Sequence, residues 1–177
     1  MWRRVLWQGM VGGLAGAVAM TLGEKVEQRF TGRPSSHVPG ATLGRLVGVS
    51  DTTGQTSTAM NLGMHYGQAA VLGVVRSLMS AVGLRGPLAS VKFGVLRLTN
   101  DQILENATGV GAPPQTWPRR ELAVDVLHKA VYAFATGLVT DALARRGGPG
   151  PGQRHAALRR GRVADVGPVP RSTAYTR

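Results

Sequence analysis

The segment Trp117 to Arg146, WPRRELAVDVLHKAVYAFATGLVTDALARR, constrains the whole chain because it reads as one long apolar helix with an internal polar face. Pro118 stands ahead of its first turn, and Glu121 lies near the positive end of the helix dipole. Arg145 and Arg146 precede the breaker run Gly147-Gly148-Pro149-Gly150, which ends it. From Glu121 to Ala144 the helix extends about 36 Å, enough to cross a bilayer core of about 30 Å. Glu121, Asp125, His128 and Tyr132 are spaced four, three and four apart and so share a face, with Lys129 at i+4 from Asp125. A helix of this kind belongs on the inside of a small bundle, polar face inward. The expected fold class is therefore all-α.

Composition points to a membrane. Charged residues make up 17% of the chain, well below the ~25% of an average soluble domain. Glycine reaches 25 of 177 residues, and few charges with much Gly and Ala suit closely packed membrane helices. The mean hydropathy of −0.01 is low for a polytopic membrane protein, and the C-terminal end accounts for part of this. Residues 145–177 hold eight Arg and one Asp among many Gly and Pro, leaving a body of 13 basic and 8 acidic residues. Hence a bundle over 1–146 and a disordered basic tail over 147–177 are expected. There is no cysteine, so no disulfide framework, thiolate metal site or Cys nucleophile exists. Arg outnumbers Lys 18 to 3, a bias of GC-rich bacterial genomes.

Three further helical segments precede the last one. The first runs from Met1 to Gly23, with no charge between Arg4 and Glu24. Gly9/Gly13 and Gly12/Gly16 form two overlapping GxxxG pairs that let other backbones come close. The alternative for residues 1–19 is a cleaved secretory signal, with Ala17-Val18-Ala19 as the cleavage site. Two more apolar segments follow, which a secreted product would have to bury, and this favours the membrane helix. Thr31 to Gly40 is a turn-rich loop, with His37 exposed, and Thr42 to Val49 forms a short amphipathic turn at the interface. The second helix, Met60 to Gly83, is capped by Ser57 or Thr58. Gly63/Gly67 and Ala69/Gly73 give it a small-residue face, and Arg76 is expected to snorkel to the nearer interface. The third, Leu88 to Glu105, is the most charged. Arg97, Asp101 and Glu105 share a face, with Arg97 placed to pair with Asp101.

With four spans and both ends inside, the inner side carries Arg3, Arg4, Arg85 and the eight tail arginines. The outer side carries Lys25, Arg29, Arg33, Arg45, Arg119 and Arg120, so the positive-inside bias supports that topology. The expected location is the bacterial inner membrane with cytoplasmic termini. The partners expected are the lipid bilayer and, through the Gly-rich faces, a second copy or another membrane protein. The tail lacks aromatic interleaving, so no specific nucleic-acid role is expected. GxSxG, HExxH and a P-loop are all absent, and the chain is expected not to be an enzyme and to carry no cofactor.

From His65 onward the pattern resembles the YagU-like family of small bacterial inner-membrane proteins. The residues that carry the resemblance are His65-Tyr66-Gly67, Asp101, the loop with Gly109, Pro114, Trp117 and Pro118, and His128 with Tyr132. It covers roughly residues 5–145 and implies four membrane helices and no established activity. Lys92 and Arg97 make the third helix more charged than the resemblance implies.

In this topology the start of the second helix, the end of the third and the start of the fourth lie on the outer side. His65, Asp101, Asp125, His128 and Tyr132 are thus expected in one outward-facing polar pocket, with Glu24 at its rim. Hydrogen bonds between helices that fix their packing are the plainest role for them. A proton-responsive or ion-conducting role is the alternative, because histidine changes charge near neutral pH and intramembrane acids are costly. A metal is not expected, since the donors come from three helices without local ligand spacing. The expected function is a structural or accessory membrane protein. A soluble, partner-binding helical bundle is the architectural rival.

Overall fold

The computed structural model describes residues 2–49 and 57–149, with Arg154 and Leu158 beyond them, and all its regular elements are helical. They are α1 (Trp2–Thr31), α2 (Val38–Leu46), α3 (Thr58–Ala81), α4 (Pro87–Ala107), a 3₁₀ turn (Pro114–Thr116) and α5 (Arg119–Arg145). Among the described residues there are thus five α-helices where about four were expected. The additional one is α2, which begins earlier than the expected amphipathic turn because Pro39 sits in its first turn, where a missing N–H costs nothing. Ser57 takes the N-cap position of α3 without a side-chain capping bond. The tail lies outside the described residues from 150 onward, apart from those two positions.

Two helices, α1 and α5, are long and apolar enough to cross a membrane, with mean hydropathies of 1.5 and 1.4 over their best windows. The four long helices run alternately up and down. α1 packs against α3 and α5, α5 also carries α4, and α2 lies on α3. We call the end holding the N-terminus of α1 the lower end.

The two GxxxG pairs of α1 serve different neighbours. A Cβ on Gly9 or Gly13 would come within 3.0 Å of the α3 backbone at Val74 or Ala69. One on Gly12 or Gly16 would collide with Thr140 or Thr136 of α5. Gly73 answers from α3, where a Cβ would strike Gly9 and Gly13. Gly63 and Gly67, expected to give α3 a second packing surface, meet nothing closer than the Leu43 side chain at 4.0 Å. The close face of α3 is built from Ala69 and Gly73 instead.

At the lower end lies a correction. Arg76 does not snorkel outward. It is fully buried and forms a two-pronged ion pair with Asp141 of α5, Nη1 to Oδ1 and Nη2 to Oδ2 at 3.0 Å each. Ser80 Oγ donates to Asp141 Oδ1 at 2.6 Å, and the Gly86 amide donates to Oδ2 at 2.8 Å. Gly86 can point its N–H that way because it holds φ at 84°, a conformation that side chains disfavour. Snorkelling lost because an acidic partner stands at the same depth in α5. A bidentate, multiply hydrogen-bonded carboxylate is the geometry that makes burying an arginine tolerable.

Two outcomes are expected in thermal or denaturant melts of the solubilised protein. Gly13→Val overpacks the α1–α3 contact and costs about 1–3 kcal/mol, whereas Gly23→Val, which meets nothing within 4 Å, is near neutral. Arg76→Leu strands Asp141 and costs about 3–5 kcal/mol, most of it recovered by the double substitution with Asp141→Leu.

Candidate functional site

The upper ends of the four long helices, roofed by α2, enclose a cavity of about 150 Å³. Glu24 comes from α1, His65 and Gln68 from α3, Arg97, Asp101 and Glu105 from α4, and Asp125, His128 and Lys129 from α5. Arg33 and Ser36 on the α1–α2 loop and Thr42 of α2 complete its polar lining. Helical spacing explains the convergence. His65/Gln68, Arg97/Asp101/Glu105 and Asp125/His128/Lys129 each recur at three or four residues and so project from one face.

Asp101 is the hub of this chamber. Its Oδ2 accepts from Arg97 Nε at 3.0 Å and its Oδ1 from Gln68 Nε2 at 2.8 Å. Lys129 Nζ lies 3.5 Å from Oδ2 and also donates to Asp125 Oδ1. The chain of charges Arg97–Asp101–Lys129–Asp125 therefore ties α4 to α5, and Gln68 ties α3 to α4. Lys129, read from the sequence as standing beside the acidic stripe, is buried at 7% exposure.

The two histidines have separate partners. His65 Nε2 shares a hydrogen bond with Thr21 Oγ1 at 3.1 Å. His128 Nε2 lies 4.0 Å from Glu27 Oε2, too far for a hydrogen bond. Glu27 in turn is held by Arg33 at 3.3 Å and by Thr31 Oγ1 at 2.6 Å.

Of the five residues expected to meet, His65, Asp101, Asp125 and His128 line the chamber. Tyr132 lies beneath it, fully buried, its hydroxyl donating to the Ala69 carbonyl at 2.7 Å and its ring 5.0 Å from the Arg97 guanidinium carbon. Tyr132 is thus a floor residue that supports Arg97 by a cation–π contact. Glu24 lines the chamber, whereas Glu121, on the same face of α5 by spacing, is exposed one turn above. Gln68, Glu105 and Lys129 were legible by their spacing from His65, Asp101 and Asp125. Arg33 and Thr42 were not, because a loop and a short helix give no periodicity that points to the chamber.

Among the described residues, no three His, Asp or Glu side chains converge closely enough to hold a metal ion. Fold and chamber together define an all-α bundle with an apolar exterior and a charged interior. Compared with known proteins, the chain matches no family model, no curated protein and no solved structure.

The geometry separates two kinds of residue in this chamber. Asp101→Ala leaves Arg97 and Lys129 buried with less than their full complement and is expected to cost about 3–5 kcal/mol. His65→Ala removes one hydrogen bond to Thr21 and is expected to cost about 1 kcal/mol. Parallel denaturant melts of the two variants check the ordering.

Proposed function

We propose that the chain is a small integral membrane protein with a structural or accessory role. In this reading all four long helices cross a bacterial cytoplasmic membrane and both chain termini lie on its cytoplasmic side. The observation that carries the reading is the inverted distribution of polarity. Across residues 5–23, 61–81, 88–103 and 122–144, Lys92 is the one charged side chain that is exposed. The outward positions are filled instead by Leu6, Trp7, Met10, Leu14, Val18, Val71, Val95, Phe134, Leu138 and others like them. Meanwhile Arg76, Arg97, Asp101, His128, Lys129 and Asp141 are buried. A water-soluble bundle does the opposite, since charged residues are almost never fully buried unless paired, and large apolar surfaces are rarely left in water.

Further support comes from the lower end. Exposed Trp2 and Trp7 suit an interface belt, and Arg3, Arg4, Arg145 and Arg146 crowd the side assigned to the cytoplasm. Lys92, one turn into α4, is placed to snorkel to that same side. The resemblance to the YagU-like family implies the same four-span arrangement. The open Gly63/Gly67 face of α3 is where a second copy or another membrane protein would pack.

Carbonate washing followed by reporter fusion tests the reading. The protein is expected to stay in the membrane fraction, and a reporter fused at its C-terminus is expected to be active only in the cytoplasm. Release by carbonate would return the chain to the soluble-bundle alternative.

One observation favours a proton-responsive role as a second reading. His128 is buried, lines the chamber and has no hydrogen-bond partner for Nε2 among the described residues. Proton flux into dye-loaded proteoliposomes discriminates. Flux that disappears in His128→Ala supports the relay, and absence of flux in the unsubstituted protein leaves the accessory role.

A further inference from the structure

The charges around the chamber do not cancel. Arg33 is taken by Glu27, Arg97 by Asp101, and Lys129 by Asp125 with Asp101 as its second contact. Glu24 and Glu105 also line the chamber, and neither has a cationic partner within ion-pair distance among the described residues. Four carboxylates, Glu24, Asp101, Glu105 and Asp125, therefore line the chamber against three permanent cations, Arg33, Arg97 and Lys129. Glu24 accepts a hydrogen bond from Gln28 at 3.0 Å, which leaves its charge uncompensated.

The chamber also holds polar atoms that point at nothing. Thr42 Oγ1, Arg97 Nη1, Asp125 Oδ2 and His128 Nε2 are buried without a hydrogen-bond partner, on side chains that all line the cavity. Thr42, Arg97 and His128 are only 2%, 5% and 9% exposed. Arg76 Nε, Ser77 Oγ and Thr136 Oγ1 are unpartnered as well, but none of them lines the chamber. Buried polar atoms are expensive to leave unpaired, and four on side chains that line one cavity mark groups that a polar occupant could pair once those side chains turn toward it.

From the charge balance and these atoms we infer that the chamber binds a small organic ammonium ion carrying an oxygen acceptor. The ammonium group offsets the surplus carboxylates, with Glu24, Glu105 and Asp125 Oδ2 as its acceptors. The oxygen accepts from Arg97 Nη1, which has a proton to donate and no protein group to receive it. Thr42 and His128 complete the hydrogen bonding as donor or acceptor. A bare metal ion does not fit, because it needs several donors converging at about 2.0–2.6 Å and no three are so placed among the described residues. A cavity of about 150 Å³ matches a molecule of a few heavy atoms, since a cavity of about that volume holds a benzene-sized ligand. The inference rests on the membrane reading only for access from the outer side. Binding to solubilised protein tests the chemistry, and the reporter fusion tests the sidedness, so the two fail separately.

The probe is 2-aminoethanol, protonated at neutral pH, titrated calorimetrically into the full chain in detergent against matched sodium chloride. It is expected to bind saturably, with ethylene glycol and propionate giving no binding. Glu24→Gln and Glu105→Gln are each expected to weaken it by about tenfold, while the exposed Lys92→Gln leaves it unchanged. If a glutamate variant fails to fold, the thermal stabilisation of unsubstituted protein by 2-aminoethanol over ethylene glycol remains a readout. Absence of saturable 2-aminoethanol binding, equal binding of ethylene glycol, or preference for propionate overturns the inference. Repeating the titration in nanodiscs identifies the source. Weaker apparent binding in phosphatidylethanolamine than in phosphatidylglycerol marks the lipid headgroup as the occupant, and equal binding marks a free amine.

Discussion

The structure depends on how closely α1 approaches two helices at once. An α-helix with side chains on every face keeps its neighbours about 8–10 Å away. α1 removes side chains along two stripes, Gly9/Gly13 toward α3 and Gly12/Gly16 toward α5, and its backbone then rests against theirs. In the membrane reading proposed above, where no hydrophobic driving force acts between helices, such contact and the hydrogen bonds beside it would hold the bundle together. The contact also fixes register. With Gly13 against Ala69 and Gly16 against Tyr132 and Thr136, Thr21 must meet His65 above, and Gln8 and Arg4 must meet the Leu143 carbonyl below. The outward side of the same helix keeps its bulk, from Leu6 through Leu22.

That register places two charged clusters at opposite ends of one interior. Between them lies a waist of Ala17, Ala69, Leu72, Phe93, Tyr132 and Ala133. The lower cluster encloses no comparable chamber: Asp141 receives both prongs of Arg76, the Ser80 hydroxyl and the Gly86 amide, and Arg76 Nε alone of that pair is left without a partner among the described residues. It links α3, the α3–α4 turn and α5, and it acts as a clamp. The upper cluster uses the same kinds of residue but encloses a cavity. One carboxylate more than its cations in the lining, two carboxylates without an ion-pair partner and several unpartnered atoms are a poor solution for stability alone. The contrast between the two ends of one molecule is the argument that the upper end is built to receive something.

Much of this was legible in the sequence, and what was missed has physical reasons. The GxxxG stripes of α1 carry their meaning in spacing alone, although spacing does not say which neighbour each faces. Asp101, Asp125, His65 and His128 were legible because helical periodicity and the alternation of helix direction bring them to the same depth. Arg76 was misread because its environment depends on Asp141, a partner 65 residues away whose depth follows only from the α3–α5 register. Gly63 and Gly67 meet no helix backbone among the described residues, because a small-residue pattern states that close approach is allowed and not which neighbour approaches. The α2 helix was placed too late and too short, because nine residues with Pro and Gly have no periodic signal of their own.

The roof over the chamber follows from one amide. Asn61, in the first turn of α3, accepts from the Gly40 amide at 2.9 Å and donates to the Ser36 carbonyl at 3.3 Å. Both partners flank the start of α2, so a single side chain pins this end of the helix over the cavity. Val38, Pro39 and Thr42 thereby become lining residues. Below the roof, the apolar outer faces of α1, α3, α4 and α5 offer no polar route into the chamber from the side. Entry for a charged molecule therefore runs past α2 and the Arg33–Glu27 pair at the upper end. A helix of nine residues held by few polar bonds is the least costly part of the bundle to displace. The chamber is thus rigid on its helical walls and adjustable at its roof, which is how a buried charged site can be both selective and reachable.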